Sequence, residues 1–189
     1  MPPKVKVAKK DIIAAALDAV RKEGEGGINA RAIASVLGCS TQPVFSNFSS
    51  MEELKEQTAK SAYEIYEGFI RREVENGKYP PYKSFGMAYI SFAKEEKELF
   101  KLLFMCDRSE KSFTPTSDFD ASVEMIMQAN GISKEKAELL HLEIWTFTHG
   151  IATMLATSFL ELESELVSRM LTDAYQGIRA RLLSEEKEK

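Results

Sequence analysis

Hydrophobic positions recur at three- and four-residue spacing almost throughout the chain, and no stretch reads convincingly as a strand. Ile12, Ile13, Ala16, Leu17 and Val20 mark one face of a first helix of about four turns, which the glycines at 24, 26 and 27 stop. Asn29 is placed to cap a short second helix over 30–37, with Ile33, Ala34 and Leu37 inward and Gly38 ending it in the left-handed conformation. Ser40 or Thr41 then caps a third short segment. Pro43 fits its first turn, where a missing N–H is harmless, and Val44 and Phe48 give it an apolar side. Ser50 to Glu53 has the form of a capping box and opens a long helix to about Asn76, broken by the Gly77 to Pro81 stretch.

The same rhythm predicts helices over 82–96, 97–106, 118–130, 133–161 and 164–184, with an irregular stretch at 107–117. Leu139, Leu140, Ile144, Phe147, Ile151, Leu155, Phe159 and Leu162 run down the long helix 133–161. The last helix repeats the pattern with Leu166, Met170, Leu171, Ala174, Ile178 and Leu182, and both faces are broad enough to meet more than one neighbour. The expectation is an all-α protein.

Composition narrows the class. With 189 residues, 44% of them hydrophobic, and only 10 Gly and 6 Pro, the chain can bury a proper core and is neither disordered nor collagen-like. Its longest apolar runs fall well short of the roughly 18 residues a membrane helix needs, and residues 1–17 lack the features of a secretory signal, so a cytoplasmic protein is expected. Cys39 and Cys106 are expected to be packed free thiols. The net charge of −4 is unevenly spread: residues 1–48 hold seven basic and four acidic residues, +3, leaving −7 for the remainder. Lys4, Lys6, Lys9 and Lys10 form an arm that could lie along phosphates or could be a solvated tail.

Residues 30–49 have the organisation of a helix-turn-helix. Two short helices crossing steeply need a small residue at closest approach, a residue tolerant of left-handed geometry in the turn, and apolar residues that lock the axes. Ala34, Gly38 and the trio Ile33, Leu37 and Val44 stand at those places, although an αα-corner in an ordinary core would use them too. The stretch from Ile12 to Leu54, with NARAIA at 29–34, LGCS at 37–40 and VFSNFSSMEEL at 44–54, resembles the DNA-binding domain of the TetR/AcrR family of bacterial transcriptional regulators. WTFTHGIATML at 145–155 is similar to a Trp-x-x-x-His-Gly segment in the regulatory domain of many members.

The resemblance implies an N-terminal three-helix DNA-binding domain with a helix-turn-helix over 1–49, its basic arm at 1–10, and a helical-bundle regulatory and dimerisation domain over 50–189. It implies a role as a ligand-responsive repressor that binds a palindromic double-stranded operator as a homodimer. Its recognition helix would span 41–48, with Ser40, Thr41, Gln42, Ser46 and Asn47 facing DNA and Arg31 gripping phosphate. Many members carry Tyr, His and Lys where this chain has Phe45, Asn47 and Met51. Phe45 would pack against sugar, and more of the phosphate attraction should fall to Arg31, to Lys9 and Lys10 with their arm, to Lys55, and to the N–H groups opening the helix after Ser50. Dimerisation is assigned to the helices at 133–161 and 164–184.

The remainder is rich in aromatics and Met. Tyr66, Phe69, Phe85, Tyr89, Phe104 and Met125 suit a deformable pocket for a small, largely apolar effector, and also suit an ordinary core. Trp145, Thr148 and His149, on what reads as an inward helix face, are the polar groups expected in such a pocket. Glu138 and His141 have the spacing of a di-iron ligand pair, but a second pair is absent, so neither a metal nor any cofactor is expected. No phosphate loop, zinc spacing or nucleophile with its base appears, so the chain is not expected to be an enzyme. The rival reading is a helical adaptor or small-molecule-binding protein whose N-terminal domain contacts protein.

Overall fold

Every regular element in the described residues, 7–107 and 119–184, of the computed structural model is helical, so the protein is all-α. Lys4 and Lys6 of the basic arm, most of the expected irregular stretch after 106, and the charged tail from 185 lie outside the described residues. The chain divides into two compact units, residues 1–67 with 96–115, and residues 68–95 with 116–189. This differs from a division at 49/50, because the first unit includes the start of the long helix and a helix from the middle of the chain.

In the first unit, α1 (Lys9–Glu23) packs on α2 (Ala30–Val36), α2 packs on α3 (Gln42–Asn47), and the later helix α6 (Lys97–Phe104) also lies against α1. Ile12, Ala16, Val20, Ile33, Val44, Phe48 and Leu54 are all essentially sequestered from water. Ile13 and Leu17, expected inward, are half-buried, while Ala15 and Ala19 take the closest positions. A 3-10 turn at Glu25–Gly27 lies directly on α1: a Cβ on Gly27 would stand 2.6 Å from the Ala19 carbonyl oxygen, so only glycine fits there. α1 is tied to the residue before α6 by a bidentate pair, Arg21 Nε and Nη2 to the two Glu96 oxygens at 2.9 and 2.8 Å. That pair, helped by Asp18, holds the Arg21 guanidinium above its ordinary pKa.

The helix α4 (Met51–Asn76) begins in the first unit and ends in the second. In the second unit, α5 (Pro81–Glu95) packs against α7 (Phe119–Asn130), α8 (Lys134–Ala156) and α9 (Ser164–Ser184), and α8 packs against both α7 and α9. One cluster joins Val123, Ile126, Ile132, Leu140, Ile144 and Leu182. Polar contacts pin the same helices: Lys83 Nζ donates to Ser168 and Thr172 hydroxyls at 2.8 and 2.7 Å, and Arg179 Nε donates to Asn130 Oδ1 at 2.6 Å.

The long helix expected over 133–161 stops at Ala156. The Phe159 N–H bonds back to Met154 at 2.9 Å and the Ser158 N–H to Leu155 at 3.1 Å, the two bonds of a Schellman ending, with Ser158 left-handed at φ 56°. Phe159 therefore leaves the helix face on which its spacing put it and is exposed.

Candidate nucleic-acid interface

The stretch from Asn29 to Glu53 is organised by short local bonds. Asn29 Oδ1 accepts the Ala32 N–H at 2.8 Å and starts α2, as expected. Gly38, at φ 62°, closes it: the Gly38 N–H reaches Ser35 and the Cys39 N–H reaches Ala34. Thr41 precedes α3 without a side-chain capping bond, so neither hydroxyl before the helix is needed to start it. Val44 and Phe48, four apart, are buried, which fixes the rotation of α3 and turns its other side to solvent.

On that solvent side stand Gln42, Phe45 and Ser46, with Ser40 just before them, all exposed; Phe45 is 59% exposed despite being aromatic. Ser46 Oγ and Asn47 Nδ2 both donate to the Pro43 carbonyl, at 3.1 and 2.8 Å, and Asn47 and Thr41 are half-buried. Gln42 thus presents the least committed amide of the group. Arg31, in the first turn of α2, is exposed, and Arg31, Lys10 and Lys55 have no acidic partner among the described residues. From Gly26 to Met51 the chain contains no acid, and Arg31 is its one charge. In a chain with 29 acidic residues, a run of 26 residues without one lowers the repulsion of a polyanion by its own side chains.

Two expectations change at the edge of this surface. Lys9 is engaged within the unit, its Nζ 3.0 Å from Glu53 Oε1 and 4.7 Å above the Phe48 ring. The opening of α4, expected to attract phosphate, instead carries a carboxylate. Ser50 Oγ accepts the Glu53 N–H at 3.1 Å as a capping box requires, but the Glu53 side chain reaches Ser49, accepting its N–H and its hydroxyl at 2.7 Å each. The two Ser49 donors first, and then Lys9, bring the Glu53 pKa down to about 2, so this end of the helix is already occupied by negative charge.

The residues expected around an effector fall into both units. Tyr66 and Phe104 meet edge to face in the first, with ring centroids 5.3 Å apart. Phe69 is buried against Phe92 in the second, where Phe85, Tyr89, Met125, Trp145, Thr148 and His149 also lie. The Tyr89 hydroxyl and His149 Nδ1 are 2.8 Å apart, joining α5 to α8, and Trp145 stacks on the His149 ring at 5.3 Å. Thr148 is buried and bonds the Ile144 carbonyl of its own helix. Trp145 does not face inward: it is 44% exposed. A cleft of about 380 Å³ in the first unit is lined by Glu25, Glu98, Lys101, Leu102, Met105, Cys106 and Asp107, none of which belongs to the expected effector set.

No protein-family model matches the chain, and no curated protein matches it. The two residues with the spacing of a di-iron ligand pair have structural partners. Glu138 lies 3.7 Å from Lys134, and buried His141 lies 2.9 Å from the Tyr82 hydroxyl, with Phe119 edge-on to its ring. Among the described residues no three His, Cys, Asp or Glu side chains are grouped to hold a metal, and no helix is long and apolar enough to cross a membrane.

Proposed function

We propose that the protein is a DNA-binding transcriptional regulator similar to TetR/AcrR repressors, with α2 and α3 as its helix-turn-helix. The observation that carries this reading is the outward side of α3, where Gln42, Phe45 and Ser46 stand together in a stretch that contains no acid, with Arg31 unpaired among the described residues. An amide there suits an adenine edge, and a guanidinium in the first turn of the neighbouring helix suits phosphate.

A symmetric pair of copies would set two such helices in successive major grooves, about 34 to 36 Å apart. Dimerisation through α8 and α9 is supported by the apolar side chains these helices leave in water: Leu139, Leu142, Trp145 and Phe147 on α8, and Leu166 on α9. A small, largely apolar effector among the aromatics of α5 and α8 would release DNA by preferring a different separation of the two heads.

The adaptor reading draws on the exposed apolar pair Val36 and Phe45, and salt separates the two. DNA binding weakens steeply as salt rises through counterion release, whereas an apolar protein contact does not. The test uses purified full-length chain and the tightest palindromic duplex recovered from a random library. The Gln42→Ala/Asn47→Ala double variant should lose its preference for that duplex while remaining a dimer; retained preference would contradict the assignment.

A further inference from the structure

The side of α3 that faces water pairs one amide with one aromatic ring. Gln42 and Phe45 are three residues apart and so share a helix side, and both are exposed. The nearby polar side chains, Ser46 and Asn47, have their donors turned onto the Pro43 carbonyl. What remains in the centre of the surface is a hydrocarbon ring, 59% exposed, on a helix whose buried side is already filled by Val44 and Phe48.

A phenyl ring offers base edges no hydrogen bond. Against the major-groove edge of a G·C pair it would strip water from the cytosine amino group or from guanine O6 and N7 and return nothing. The thymine C5 methyl is the one major-groove group that gains from such a neighbour. On the reading that this head binds DNA, we propose that Phe45 is a specificity-determining residue that selects a thymine methyl in each half-site, beside the base contacted by Gln42. Phe45 stands within a stretch, Gly26 to Met51, that contains no acid and in which Arg31 is the one charge.

Replacing thymine by deoxyuridine removes that methyl and leaves hydrogen-bonding edges, sugars and phosphates in place. The experiment measures binding of the full-length protein to the selected palindromic duplex, substituting one symmetric pair of thymines at a time. At one position the wild type should weaken about fourfold per methyl and about fifteenfold when both half-sites are changed, the scale expected for one buried methyl group. Phe45→Ala, with folding checked by circular dichroism, should bind thymine and uracil duplexes equally. Wild-type binding indifferent to uracil at every thymine, or Phe45→Ala binding that keeps the full uracil effect, would overturn the proposal while leaving DNA binding intact. Failure to select any duplex overturns the DNA-binding reading itself, and this inference with it.

Discussion

Arg31 and Gln42 stand on adjacent helices but would do different things to a duplex. Arg31→Ala should weaken binding to every sequence alike and lower the salt slope by about 1, because one phosphate contact releases about one counterion. Gln42→Ala should cost about 1–3 kcal/mol on the selected duplex and relax preference at one base position, measured by titrating single-base variants. His141 gives a prediction independent of DNA. Burial against Tyr82 and Phe119 lowers its pKa below the ordinary 6.5, so the unfolded chain takes up a proton that the folded chain resists. Stability is then complete above about pH 6.5 and falls as pH drops through that value, and the unfolding midpoint should decline between pH 7 and 5.5. His141→Gln should flatten that decline; an equal decline in the variant would remove His141 as its source. At this scale the sequence revealed what Asn29, Gly38, Val44 and Phe48 would do, since each role depends on near neighbours. It hid the partner of Glu53, because Ser49 and Ser50 are the same residue type one step apart. It also hid the exposure of Trp145, because periodicity marks apolar faces without saying which of them another helix covers.

The helices follow their caps more closely than their apolar patterns. Most of the expected helices are recognisable within a few residues of the observed limits, and glycine, proline or a capping side chain marks several of those ends. The end of α8 is not marked in the sequence, because Ser158 occupies a left-handed position that glycine usually fills and Phe159 continues the apolar spacing beyond it. Ser158→Gly should therefore stabilise the protein by about 1 kcal/mol, seen as a rise of roughly 2–4 °C in the unfolding midpoint. An unchanged or lower midpoint would mean that the serine side chain offsets its backbone cost. The capping box at the start of α4 was half legible: the serine does its part, while the glutamate takes the preceding serine and brings negative charge to a helix end that otherwise suits phosphate.

At the scale of the whole molecule, the all-α class was plain from spacing alone, but the composition of the two units was not. The helix α6 belongs with α1, through its buried leucines and the Arg21–Glu96 pair, although some 75 residues separate the paired side chains in the chain. Local patterns carry no record of such a distant pairing. The exposed apolar positions of α8 belong to this scale too. Leu142→Glu, at a site 51% exposed, should leave the fold intact and convert a dimer to a monomer in analytical ultracentrifugation; a dimer that survives it would place the interface elsewhere. The most direct measurement for two α3 helices on one duplex is the affinity of the full-length protein for the selected palindrome as salt and half-site spacing are varied. The expected result is a steep fall with salt and a sharp optimum when half-site centres lie about one helical turn, roughly 10 base pairs, apart. Binding that ignores both salt and spacing would contradict it.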